Sequence, residues 1–497
     1  MTGPAAGTLR EIVGADLEVP VVTGGTRRYV NLDVAASAPA LRAVADGVAA
    51  CLPWYASVHR GAGFKSRVST ELYERAREAI RTFVGGRPDD AVVITRNTTD
   101  AINLLASALP ERTTVLVFAV EHHANMLPWR HGTHHGRVRY LPVPASPDDL
   151  VALLDAALRD ERSGGTAPDG SERAGAGPIL VSTTGASNVT GETWPLARIS
   201  ETAHAHGARF MVDAAQLAPH LPVDMTRDGI DYLAMSGHKL YAPYGAGALV
   251  GRRDWLEETE PFLWGGGAVR FVTLDDVMWA PLPDRQEAGS PNVLGAVAMG
   301  IACETLAAIG METIAGEELA LHAHAVGRLS AIPGVRVHLT WGLGQPHIGL
   351  VTFAVDGYDH GEVASILSAE HAIGVRHGCF CAHPLMLHLL RVDSGAAAAI
   401  REALRAGEDP ALPGAVRMSF GLGTAEADVD AVADALASIA ADGPAWTYRV
   451  SPATGEWEPD PDPRAWPDLP LSAAGVDGEA AGQAGTIARR ATAGEAS

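Results

Sequence analysis

Lys239 closes the run Ser236-Gly-His-Lys239, and Asp213 closes an earlier β-rich run, Arg209-Phe-Met-Val-Asp213. Most lysines are solvated surface charges, and an aspartate at the end of a strand is equally suited to cap a helix. The pair suggests more than either residue does. A lysine amine can hold an aldehyde cofactor covalently, and an acid against the pyridine nitrogen of that cofactor keeps the ring able to accept carbanion electrons. Pyridoxal 5′-phosphate needs both groups at once, which Lys239 and Asp213 would supply. Gln216 is placed to hydrogen-bond the ring's 3-oxygen, and Ser236 and His238 flank the lysine with donors for a phosphate.

Other candidates lie at similar places. Asn97-Thr98-Thr99 stands between a strand-like run and the helix-like Asp100-Ala-Ile-Asn-Leu-Leu, where backbone N–H groups and the hydroxyls of Thr98 and Thr99 could hold a phosphate. The same triplet reads equally as a helix cap. His122 follows the run Val115 to Val120, where a lone histidine is more often structural. Cys379, Cys381 and His383 could form a metal cluster with His131, His134 and His135, but the spacing is too close for paired zinc ligands, so no metal is expected. Four cysteines in 497 residues are too few for a disulfide framework and should work as thiols.

These residues need a frame. The length favours two packed domains, and apolar residues at 47% supply enough side chains to bury. Short β-rich runs at 92–95, 115–120, 179–183, 210–213 and 248–250 alternate with helix-like stretches. That alternation predicts an α/β fold with a mainly parallel sheet, whose ligands bind where strands end. The domain plan is an N-terminal segment (1–30), a large cofactor domain (31–284) whose start contributes to the small domain, a small α/β domain (285–440) and a tail (441–497). Residues 159–177 read as a mobile surface loop. The proline-rich tail, with Trp446, Trp457 and Trp466, reads as an extended strap that becomes disordered after Ser472. The net charge of −21 without a basic cluster argues against nucleic acid. No apolar run reaches the roughly 20 residues of a membrane span and no export pattern opens the chain, so a cytoplasmic location is expected.

The motifs Val212-Asp-Ala-Ala-Gln216 and Ser236-Gly-His-Lys239 resemble the class V aminotransferase family, especially its cysteine desulfurase and selenocysteine lyase branch. Leu32-Asp-Val-Ala-Ala-Ser37, Val58-His-Arg-Gly61, Thr95-Arg-Asn-Thr-Thr99, Glu121-His-His-Ala-Asn125, Ser187-Asn-Val-Thr-Gly191 and Glu287-Ala-Gly-Ser-Pro-Asn292 fall in the family's order. The resemblance runs from about Leu32 to Leu436. It implies a fold type I pyridoxal-phosphate enzyme with a seven-stranded sheet, His122 stacked on the cofactor ring and Asn188 beside its 3-oxygen. It also implies a homodimer, with Ser290 closing the phosphate site from a second subunit.

The choice of reaction rests on Val375-Arg-His-Gly-Cys-Phe-Cys-Ala-His-Pro-Leu385, which resembles the cysteine loop of group II desulfurases. By that resemblance Cys381 is the nucleophile that takes sulfur from L-cysteine, leaving alanine and a persulfide for a possible acceptor protein. Arg376 and Arg417 bind the substrate carboxylate, for which a guanidinium fork is suited. The loop departs from the usual Thr-Gly-His-His-Cys, and its Gly-Cys-Phe-Cys part resembles molybdenum-cofactor sulfurases. Cys379 could relay sulfur, resolve the persulfide or pack as a small hydrophobe. Leu387 to Gly414 separates the loop from Arg417 by more residues than in compact desulfurases. Selenocysteine lysis, C–S lysis or amino-acid epimerisation on the same cofactor are the alternatives.

Overall fold

The computed structural model describes residues 8–132, 137–166, 170–171 and 173–467. Seven strands build the large sheet: β1 (Ala91–Thr95), β2 (Thr114–Phe118), β3 (Arg137–Leu141), β4 (Ile179–Thr184), β5 (Arg209–Asp213), β6 (Tyr232–Ser236) and β7 (Gly247–Gly251). Their order is β1-β7-β6-β5-β4-β2-β3. β7 pairs antiparallel with β1 and β6, and the other pairs are parallel. Helices cover both faces, so β2, β4, β6 and β7 are buried along their whole length. Two strands carry weak sequence signals for physical reasons. β3 is an edge strand whose Arg-Val-Arg pattern reads as polar, and β6, Tyr-Leu-Ala-Met-Ser, contains no β-branched residue.

Helix α1 (Phe64–Phe83) packs on the large sheet, and α2 (Thr98–Ser107) follows β1 directly. Asn97 caps α2 by accepting the Asp100 N–H at 2.9 Å. Helix α3 (Val293–Ile309) is apolar on nearly every face and is buried between α1 and the large core. Gly310, with φ 96°, turns the chain into α4 (Met311–Ser330). Met311 and Ile314 still belong to the large core, whereas Leu321 to Leu329 belong to the second one. The division between cores therefore falls inside α4, later than the residue 285 expected from sequence. No single described helix is long and apolar enough to cross a membrane.

The second core surrounds four antiparallel strands, β8 (Val335–His338), β9 (Leu350–Val355), β10 (Arg376–Gly378) and β11 (Ala415–Ser419), in the order β8-β9-β11-β10. Helices α4, α5 (His360–His371) and α6 (Glu426–Asp442) cover it. Val30 and Leu32 join this core from the other end of the chain. Leu32 donates its N–H to Gly374 O and accepts that of Ser419, both at 2.8 Å.

Two peripheral expectations change. The helix Pro147–Arg162 reaches into the segment expected to be a mobile loop, and Arg162 Nη1 donates to Gly175 O at 3.1 Å and Gly177 O at 2.7 Å, pinning its far end. The tail is not an extended strap: Tyr448–Val450 and Trp457–Pro459 pair as a hairpin. The disorder expected after Ser472 lies outside the described residues.

Candidate active site

β5, β6 and the β1–α2 turn all end at one edge of the large sheet, and they open into a cavity of about 250 Å3. Thr98, Thr99, His122, Asn188, Asp213, Gln216, Ser236, His238, Lys239, Arg376, Cys381 and Arg417 all line it. Residues from both domains thus meet there. Ser290 does not: it lines a separate cleft of about 400 Å3 with Ser57, His59 and Arg60.

Lys239 ends a single turn of 3-10 helix after β6. Burial lowers its amine to about 8, with Asp213 opposing and the Arg417 charge adding to the fall. Asp213 is buried at the end of β5, which raises its carboxyl above the usual range, and one oxygen accepts the Ala215 N–H at 3.0 Å. Thr98 presents its backbone N–H to Ser236 Oγ at 2.8 Å, and the two hydroxyls lie 2.9 Å apart. A cluster of donors therefore sits at the N-terminus of α2 beside the lysine turn.

His122 is buried, and its Nδ1 accepts the Ala124 N–H at 3.0 Å. Burial and the Lys239 charge push it down to about 3, so the ring is neutral across the physiological range. Gln216 donates from Nε2 to Ala35 O at 2.7 Å, while its Oε1 is buried without a partner. Asn188 Nδ2 donates to Phe380 O at 2.8 Å, so one of its two N–H bonds is committed to the cysteine turn rather than to a ligand. His238 Nδ1 lies 3.3 Å from Ser37 Oγ.

The carboxylate end is built from small-domain strands. Arg376 and Arg417 face each other directly across β10 and β11, so both side chains leave the same sheet face. Arg417 is buried, donates to Asn188 O at 2.7 Å and lies 3.3 Å from Asp33 Oδ1, while its Nε has no partner. Burial lowers its guanidinium to about 10, against the pull of Asp33. Arg376 is more exposed and reaches Asp33 Oδ2 at 3.8 Å. Asp33 thus lies between the two arginines, a role that Leu32-Asp-Val-Ala-Ala-Ser37 does not announce.

Cys381 is exposed at the cavity mouth on a turn in which Gly378, Phe380 and Cys381 all have positive φ, 104°, 53° and 54°. Two consecutive non-glycine residues in the left-handed region store strain that the surroundings must hold. His123 N donates to Cys381 O at 2.8 Å, Asn188 holds Phe380 O, and the Arg417 guanidinium lies 5.1 Å from the Phe380 ring centroid. Cys379 packs against the large core instead. Among the described residues no group of three His, Cys, Asp or Glu side chains is arranged to hold a metal ion. His134, His135 and the side chain of His131 lie outside the described residues.

An amine lowered by burial beside a buried carboxylate, phosphate donors at a helix N-terminus, and unpaired polar atoms on Gln216 and Arg417 fit pyridoxal 5′-phosphate with an amino acid. Fold and site define the class, a pyridoxal-phosphate enzyme built on a mainly parallel seven-stranded sheet. The chain belongs to the class-V aminotransferase family, whose model matches residues 30–432.

It is 35% identical over 335 residues to a probable cysteine desulfurase of Halalkalibacterium halodurans, covering 66% of this chain and 78% of that one. It is 34% identical to a cysteine desulfurase of Synechococcus elongatus, of which the match spans 51%, about half its length. Among solved structures, a cysteine desulfurase from Escherichia coli superimposes with a TM-score of 0.67 at 31% identity, covering 82% of this chain and 94% of that one.

Proposed function

We propose that the chain is a cysteine desulfurase, converting L-cysteine to L-alanine while Cys381 takes the sulfur as a persulfide. The observation that carries this reading is one cavity lined at once by Lys239, Asp213, Arg376, Arg417 and Cys381. It offers a cofactor anchor, a ring partner, a carboxylate fork and a thiol around one cavity of about 250 Å3.

Bound pyridoxal phosphate supplies the electron sink that makes the α-hydrogen acidic and the carbon–sulfur bond breakable. The chain's residues do the rest. Thr98, Thr99, Ser236 and His238 would hold the phosphate, Asp213 would pair with the ring nitrogen, Gln216 and the second N–H of Asn188 would serve the 3-oxygen, and neutral His122 would pack against the ring. Arg417 and Arg376 orient the substrate carboxylate. Lys239, its amine available near neutral pH, takes the α-proton. Cys381 as thiolate attacks the substrate sulfur. The S–S bond forms as the Cβ–S bond breaks, the electron pair stays on carbon, and the proton of the substrate thiol ends on the new methyl group. Lys239 returns its proton to the α-carbon, alanine leaves, and the exposed persulfide stands within reach of an acceptor.

The cleft that holds Ser290 supports a homodimer in which that serine closes the partner's phosphate site. A cytosolic, thiol-preserving location suits a mechanism that needs Cys381 reduced.

Mass spectrometry of the Cys381 peptide after brief exposure to L-cysteine tests the reading. A gain of one sulfur, with alanine formed in equal amount, is expected. Undiminished alanine formation by Cys381→Ala would overturn the persulfide and assign direct elimination instead.

A further inference from the structure

The family match ends at residue 432, yet the chain continues into a hairpin that docks next to the site. Its first anchor is Glu370 on α5, a buried carboxylate that accepts the N–H groups of Ala445 and Trp446 and the Tyr448 hydroxyl, each at 3.0 Å. Its second is Trp457, which lies so close to the start of α5 that a methyl group on Gly361 would meet its ring at 3.0 Å. Its third is Glu456, whose carboxylate lies 3.3 Å from His377 Nε2.

His377 occupies the middle of β10, between Arg376 and Gly378. Alternation along a strand sends Arg376 to the cavity face and His377 to the opposite one. There its ring stacks on that of His360, with centroids 5.3 Å apart and the two Nδ1 atoms 3.2 Å apart. His360 Nε2 in turn lies 3.3 Å from Leu412 O. β10 has only three residues and pairs with β11 alone, an edge strand that its own ladder holds weakly. It nonetheless carries Arg376 and leads directly into the strained turn of Cys381.

We infer that the C-terminal hairpin braces this edge strand from behind, with Glu456 and His377 acting as positioning residues for Arg376 and the Cys381 turn. The inference rests on the desulfurase reading for what the strand binds, but not for the bracing itself. The proton count supports it. A proton toward Leu412 O, one between the two Nδ1 atoms and one toward Glu456 make three on two imidazole rings, one more than neutral rings hold. The Glu456 carboxylate balances that charge. The charged groups facing His377 are Glu456 on the hairpin, His360 and Asp359 at the start of α5, and Arg376 on its own strand. Burial lowers the His377 ring below its ordinary value, so the charged form of the brace belongs to mildly acid pH and fades as pH rises.

The test is Glu456→Ala in the full-length holoenzyme, with Glu456→Asp as the conservative rescue. The Glu456 side chain is 63% exposed, so its removal leaves the fold intact. Hydrogen exchange at the amides of residues 376–378 should quicken in Glu456→Ala and return toward wild type in Glu456→Asp. KM for L-cysteine should rise about two- to fivefold at pH 6, the scale of an exposed ion pair, and kcat should fall by no more than that factor, with cofactor absorbance unchanged. The KM difference should shrink by pH 8. Unchanged exchange across β10 would overturn the brace. Quickened exchange in a protein that makes no alanine from L-cysteine would keep the brace and sink the desulfurase reading.

Discussion

Glu121 and Asp213 are neighbouring buried carboxyls with different fates. Glu121 accepts the Asn125 amide at 2.7 Å and the Thr184 N–H at 2.9 Å, and burial, with the nearby charge of Asp213, raises it to about 8. Near neutral pH it keeps its proton, which spares Asp213 a second buried negative charge beside it. The same burial that raises an acid lowers an amine, and the sign has a measurable consequence for cofactor loading. Lys239 must be neutral to condense with the aldehyde, and its amine titrates at about 8 rather than at an ordinary lysine value. Loading of the apoprotein should therefore speed up roughly tenfold per pH unit below neutrality and level off above about pH 8. Growth of the bound-cofactor absorbance at successive pH values reads this directly. A rate still climbing at pH 10 would mean that the amine is solvated.

At the scale of elements, the phosphate turn is set by close contact between β7 and the residues after β1. A Cβ on Gly247 would stand 2.6 Å from Asn97 Cα and 2.7 Å from Met235 O, both backbone atoms that cannot rotate away. Gly247→Ala should cost about 1–3 kcal/mol of unfolding free energy in denaturant melts, the range of overpacking. It should also release the cofactor faster on dilution, because relief of the clash moves the Asn97–Thr99 turn. Wild-type cofactor retention in a destabilised Gly247→Ala protein would separate the turn from the strand. Parallel strands buried on both faces declare themselves as apolar runs, so β1, β2, β4, β5 and β7 were legible in the sequence to within about two residues. Lys239 and Asp213 were legible because chemistry demands the pair. Asp33, Glu121 and the Glu456–His377 contact were not, since each gains its meaning from a partner on a distant element: Asp33 and Arg417 are 384 positions apart. The hairpin was hidden because seven prolines between Asp442 and Leu471 mask two three-residue strands.

At the scale of the whole molecule, apolar side chains gather around the cleft that holds Ser290. Tyr55 lines it, Trp54 and Phe64 are exposed on the segments flanking it, and the exposed Phe271 and Leu274 belong to a hairpin whose first strand accepts a bond from Arg60 at Val269 O. Such a face calls for a cover. Sedimentation should give twice the 51.8 kDa chain mass. A monomer that still binds the cofactor with full affinity would remove Ser290 from the phosphate site. The joining of the two cores through residues 30–33 has a further consequence, for the making of the protein. A ribosome adding roughly 5–20 residues each second releases Asp33 some tens of seconds before Arg417. Until Gly374 and Arg376 are made, Leu32 has no strand to join and Asp33 no guanidinium to meet, and by then Asp213 and Lys239 are already synthesised. The newborn chain can therefore assemble the pocket for its cofactor before the pocket for its substrate exists.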